Sequence, residues 1–137
     1  MLVNKVRKYY GKEYDLNCAE CMLMAVSEEY DLSISKESLK LMGGFGGGLG
    51  IGDICGALTG GSAAIGLMFI KERGHKDAHV KIMCGEFIKS FERELKFIDC
   101  LSLKKEYFNE NDRCLSIMEC AARALEEIIE KYKNQYL

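Results

Sequence analysis

The sequence predicts an all-α protein, a compact single domain spanning residues 1–137 and built as a bundle of about five to six helices. A Gly-rich loop is expected ahead of a buried central helix. Three observations point there. Apolar residues recur at steps of three and four along most of the chain, which is the spacing of one helical face. There is no proline at all, where average usage would give roughly seven. The alternation of apolar and polar residues that marks a half-buried strand is absent.

Taken in order, the first helix covers about Leu2 to Tyr10 and ends at Gly11. A second runs from about Asn17 to Tyr30, with Ala19, Met22, Leu23 and Val26 on one face. Ser33 or Ser35 caps a third, which carries Leu39, Leu41 and Met42. Residues Gly43 to Gly52 include seven glycines in ten positions, a density that opposes regular structure. The fourth helix starts near Asp53 and runs to about Arg73, with Gly74 as its C-terminal stop. Asp77 is the expected cap of a long fifth helix whose face reads Val80, Cys84, Phe87, Phe91, Leu95 and Ile98. A turn at Asp99 and a short helical piece near Lys104 follow. After a break at Glu110-Asn111-Asp112, the last helix runs from about Arg113 to Tyr136 on the stripe Leu115, Met118, Ala122, Leu125, Ile129 and Tyr132. These stripes read as core and carry no chemistry.

Composition narrows the function. The chain is 48% hydrophobic and 29% charged with a net charge of −2, so no nucleic-acid partner is implied. The uncharged stretch Ile54–Ile70 is shorter than the about 20 residues that span a bilayer and is broken by glycines. It reads as a buried helix, and no membrane span is expected. Residues 1–16 are charged and no apolar segment of the export type follows them. Seven cysteines in that setting suggest a cytoplasmic protein that binds metal or does redox work, rather than a secreted disulfide framework.

Four of those cysteines share one local pattern. Each follows an Asn or Asp suited to cap a helix: Asn17-Cys18, Asp53-Ile54-Cys55, Asp99-Cys100 and Asp112-Arg113-Cys114. A thiol in the first turn of a helix sits at the positive end of the macrodipole, which favours the thiolate. Four such thiols suffice for one metal or cluster site, or for two disulfide pairs. The Gly-rich loop does not read as a phosphate cradle. It lacks a G-x-G-x-x-G register and a following Gly-Lys-Ser/Thr, and Asp53 places a negative charge where a phosphate would sit. Bare glycine N–H groups suit anionic sulfur instead. Gly60, Gly61 and Gly66 read as tight helix packing, whereas Gly56 suits packing and access to the Cys55 thiol equally.

The string Cys55-Gly56-Ala57-Leu58-Thr59-Gly60 fits C-G-A-x-x-G, with Cys18 upstream in an Asn-Cys-Ala context and Cys100 and Cys114 downstream. The chain thereby resembles the C_GCAxxG_C_C family of redox-active proteins from about Asn17 to Tyr132. The resemblance implies a small helical protein with a redox or metal-related role that uses Cys18, Cys55, Cys100 and Cys114. It does not choose between cluster ligation and dithiol chemistry.

Two functions are therefore carried forward. In the first, Cys18, Cys55, Cys100 and Cys114 ligate a metal centre, an iron–sulfur cluster foremost, with Gly56 beside it as a cofactor-binding residue. Electrons then pass to and from a redox partner protein. In the second, the same four cysteines perform thiol–disulfide exchange with no cofactor. A helical interaction module without redox chemistry is the third alternative. Cys21 lies three residues from Cys18 and is read either as a second thiol on the same side or as a small core residue. Cys84 and Cys120 read as core. His75 and His79 have a metal-clamp spacing, but the expected helix start between them spoils it. The small face at Gly56 and Gly60 suits contact with a second copy of the chain as well as an internal contact, so a homo-oligomer is also an expectation.

Overall fold

The computed structural model describes all residues 1–137. Seven α-helices make up the fold: α1 (Leu2–Tyr9), α2 (Cys18–Glu29), α3 (Lys36–Lys40), α4 (Gly56–Phe69), α5 (His79–Leu95), α6 (Cys100–Tyr107) and α7 (Leu115–Tyr136). The only extended pairings are two isolated bridges, Ile54 with Asp99 and Asn109 with Arg113. The all-helical class is as the sequence predicts. The count is higher than five to six because two short pieces are separate helices. α3 has five residues and buries none of them, and α6 buries only Leu103.

α4 is the central helix. It packs most extensively on α2 and also against α5 and α7, while α1 lies across α2 and α7. Leu58, Ala64, Ile65 and Phe69 of α4 are fully or almost fully buried, as are Phe87 and Phe91 of α5 and Leu125 of α7. The approach of α4 to α2 depends on glycine. A Cβ on Gly60 would lie 2.6 Å from the Cα and carbonyl oxygen of Ala19, closer than any real side chain packs. The Gly56–Gly60 face is thus occupied by α2 within the same chain.

The predicted stripes hold for most of their residues, but Cys84, Leu115 and Tyr132 are only half-buried and Ile98 lies beyond the end of α5. On α5, Val80, Phe87, Phe91 and Leu95 are buried. On α7, Met118, Ala122, Leu125 and Ile129 are buried, and Ile117, Cys120, Ala121, Ala124 and Ile128 join them. α7 packs against α1, α4 and α5, so its apolar face is wider than one stripe. No helix is long and apolar enough to cross a membrane.

Two boundaries differ from expectation. α4 ends at Phe69, followed by Ile70 in extended conformation, well short of Arg73 and Gly74. The reason lies in Asp77, which caps nothing in α5. Its carboxylate accepts hydrogen bonds from the backbone N–H groups of Glu72 and Arg73 at 2.9 and 3.1 Å, closing a turn between the helices. α5 starts only at His79, and His75 lies in that turn, so the two histidines form no helical clamp. His79 instead stacks on Tyr136 with 3.8 Å between ring centres.

A four-cysteine cavity as the candidate functional site

Each of the four singled-out cysteines opens a helix, by two different means. Cys18 and Cys100 are first residues capped by side chains. Asn17 accepts from the N–H of Glu20 at 2.8 Å, and the Glu20 carboxylate accepts from the Asn17 N–H at 2.8 Å, a complete capping box. Asp99 accepts from the N–H of Ser102 at 2.8 Å. Cys55 and Cys114 are themselves the cap residues of α4 and α7, without a side-chain cap. Asp53 and Asp112, expected as caps, do not serve. The Asp53 backbone is engaged elsewhere, its N–H with Gly48 and its carbonyl with Cys100.

That engagement sets Cys55 beside Cys100. The Ile54–Asp99 bridge is antiparallel, with Cys55 N–H donating to the Ile98 carbonyl at 2.8 Å and Cys100 N–H to the Asp53 carbonyl at 2.6 Å. Cys55 and Cys100 therefore project from the same face as diagonal neighbours, a relation of about 7–8 Å in a regular ladder. The Gly-rich loop runs alongside. Gly48 has φ +64°, and a Cβ there would meet the Asp53 backbone at 2.5 Å and the Cys100 Cβ at 2.8 Å. Only glycine fits. The Asn17 amide donates to the carbonyls of Met42 and Gly43 at 3.2 and 3.3 Å, which ties the loop to the start of α2. Gly56 faces α2, where its Cβ would lie 3.2 Å from that of Cys18.

The result is one cavity of about 240 Å³ on which Cys18, Cys55, Cys100 and Cys114 all converge. The remaining three cysteines lie elsewhere. Cys21 is fully buried and turns to the Val6 carbonyl at 3.6 Å, so it does not share the side of Cys18. Cys120 is buried against Glu94 at 3.4 Å. Cys84 is half-buried and points toward the Ser62 carbonyl at 3.9 Å. All seven thiols are free. No group of three or more His, Cys, Asp and Glu side chains is arranged to hold a metal ion. The four cysteines line one cavity without forming such a group.

Burial reverses the expected ionisation. The Cys55 thiol is pushed up to about 11, foremost by burial, against the N–H groups of Ala57 and Leu58 that favour the thiolate. Cys18 is raised further, by burial and then by the neighbouring thiols. Cys114 is raised by burial, opposed by Lys104, Tyr10 and Arg113. The helix N-termini act in the predicted sense, but desolvation of the charge is larger.

Three residues complete the cavity that the cysteine pattern did not indicate: Tyr10, Lys104 and Arg113. Tyr10 is 8% exposed, and its hydroxyl accepts the Cys114 N–H at 3.0 Å. The Arg113 guanidinium lies 4.2 Å over the Tyr10 ring and donates to the Tyr10 carbonyl at 2.7 Å. Its own backbone is left-handed, at φ 56°, held by the bridge to Asn109. Lys104 stands four residues after Cys100 on α6, hence on the same face. That spacing, and the adjacency of Arg113 to Cys114, were signals present in the sequence. Tyr10, at the far end of the chain, left none.

No curated protein and no solved structure matches this chain. The family described as "putative redox-active protein (C_GCAxxG_C_C)" matches residues 16–128, a span that contains all four cavity cysteines and the loop that shapes their pocket. With most of its length matched, the chain belongs to the C_GCAxxG_C_C family.

Proposed function

We propose that the cavity is a redox centre in which Cys18, Cys55, Cys100 and Cys114 hold an iron–sulfur cluster for electron transfer. One observation carries the reading: four thiols from four separate helix starts line a single cavity. The donor set fits the group. Four cysteines are the usual complement of a two-iron or four-iron cluster, no carboxylate lines the cavity, and helix N-terminal N–H groups face an anionic occupant favourably. Cysteines that line a cavity in this way suit a multi-atom cluster better than a single ion. When bound, such a cluster supplies one-electron chemistry. The chain's own part is to supply the sulfurs, to keep water out with Leu103 and Ile117, and to donate hydrogen bonds. A redox partner protein is part of this reading. Ile51 in the Gly-rich loop and Leu101 beside Cys100 stand 79% and 71% exposed and offer it apolar contact.

Anaerobic reconstitution with iron and sulfide tests this. The protein should turn brown and retain both elements through gel filtration, and each single Cys→Ser change at the four positions should reduce retention. A protein with four reduced thiols that keeps no iron would refute it.

A second reading, thiol–disulfide exchange without a cofactor, draws on Cys55 and Cys100 projecting from one face; the diagonal relation is slightly longer than a disulfide spans, so the backbone at the isolated bridge would have to draw in. Mild oxidation would then link these two, and peptide mapping would find the Cys55–Cys100 disulfide reversibly formed.

A further inference from the structure

Apart from its sulfurs, the polar groups that the cavity presents are hydrogen-bond donors. Lys104 and Arg113 supply two positive charges, and neither takes part in an ion pair. The Arg113 Nε is buried without a hydrogen-bond partner. It is the one buried side-chain nitrogen or oxygen in the protein left so, and it lies in the guanidinium stacked over the Tyr10 ring. The Tyr10 hydroxyl is engaged with Cys114, whose N–H it accepts and whose sulfur it faces as a donor. The Asn17 amide is spent on the loop and on its cap. No Asp or Glu lines the space. In a chain of net charge −2, this is a local excess of positive charge with no carboxylate beside it.

We infer that the cavity binds a small oxyanion, a molecule bearing a carboxylate, sulfonate or phosphate, held by Lys104 and Arg113 beside Cys100 and Cys114. The inference rests on the reading of the cavity as the four-cysteine site and concerns the chain before a cluster fills it, since one cavity of this size does not hold both. A volume of about 240 Å³ is below the range of drug-sized sites, roughly 300–1,000 Å³, which limits the ligand to a few heavy atoms beyond its anionic group. Guanidinium and ammonium groups together are suited to such an anion, the first by its planar fork and the second as a mobile point charge.

The test compares two alkylating reagents of similar size, anionic iodoacetate and neutral iodoacetamide, on the full-length chain with its thiols reduced. Modification at Cys100 and Cys114 is read by mass spectrometry. Both reagents attack the thiolate, so the ratio of their rates cancels the thiol's own ionisation and reports attraction for the anion. The ratio should exceed that of glutathione by about tenfold, the low end of focusing in a charged cleft. Inorganic phosphate should bring it down. Lys104→Glu, a change at an exposed side chain, should bring it below the glutathione value. A ratio equal to that of glutathione and unmoved by phosphate or by Lys104→Glu would overturn the inference. Failure to retain iron and sulfide would remove the cluster and leave this ratio as it stands, so the two results are independent.

Discussion

Cys55 gives the sharpest check on the electrostatics of the cavity. Its thiol is pushed up to about 11 from an ordinary 9.0, chiefly by burial. Near neutral pH an ordinary thiol is about 1% thiolate and Cys55 about 0.01%, so a small neutral reagent should modify it about 100-fold more slowly than a free thiol. Methyl methanethiosulfonate is suitable, with Cys55 followed by peptide mapping. The rate should climb about tenfold per pH unit and level off only near pH 11. The same shift bears on stability. Because the folded value lies above the unfolded one, the contribution is whole below about pH 9, where both states are protonated. It is lost as pH rises toward 11, where the unfolded chain has released its proton first. Two pH units at about 1.36 kcal/mol each amount to about 2–3 kcal/mol. Cys55→Ser should flatten that part of the alkaline loss, read as urea midpoints on either side of the window. A reaction rate that levels off below pH 8 would mean that the α4 N-terminus dominates, and the burial argument would be wrong.

Three further outcomes follow from the packing and the caps. Gly60→Ala should destabilise the protein by about 1–2 kcal/mol in urea unfolding: overpacking costs about 1–3 kcal/mol, offset in part by the helix preference of alanine, because the new Cβ would press on the Ala19 backbone. Asn17→Ala should cost about 1 kcal/mol through loss of the α2 cap, whereas Asn17→Asp should keep the cap and lose only the two bonds to the loop. Equal losses in both would place the whole effect in the loop contacts. Cys55→Ser should abolish iron retention or redox activity, while Cys84→Ser should lower stability by about 1 kcal/mol and leave the centre intact. Equal effects from the two would contradict the division of the cysteines.

Legibility from sequence divided along physical lines. Long amphipathic segments such as α5 and α7 were plain because burial of one face repeats every turn. The Asn17 and Asp99 caps were also plain, since a cap is a contact of three residues within one segment. Asp53, Asp77 and Asp112 look alike in sequence and do other work: the Asp53 carbonyl is claimed by Cys100, which only the folded chain brings near, while Asp77 and Asp112 are taken up by turns with residues three to five positions before them. The candidate cysteines were singled out by their place at helix starts, and that placement holds at all four. The acidity inferred from it fails at Cys18, Cys55 and Cys114, for the helix dipole is a local property and desolvation a tertiary one. Tyr10 and Arg113 meet across 103 residues, beyond the reach of any local pattern.

The raised thiols and the convergent helix starts belong to one electrostatic problem. A single thiolate in this cavity lacks water to solvate it and faces three neighbouring sulfurs, so each of Cys18, Cys55 and Cys114 is held protonated when alone. Four thiolates together would be far less favourable still, unless their charge is met from within the cavity. Were Cys18, Cys55, Cys100 and Cys114 to hold a cluster, its cationic core would meet that charge and the thiol protons would be displaced. Lys104, Arg113 and the helix N-termini bear on what negative charge remains. The same burial that makes Cys18, Cys55 and Cys114 poor nucleophiles singly therefore suits them to act as a set, and it spares these three thiols from casual oxidation, since the reactive form is the thiolate. On this reasoning the Gly-rich loop is as necessary as the ligands. With Gly48 placed where no side chain fits, it packs on the Asp53 backbone and Cys100 and brings Gly47 into the cavity wall.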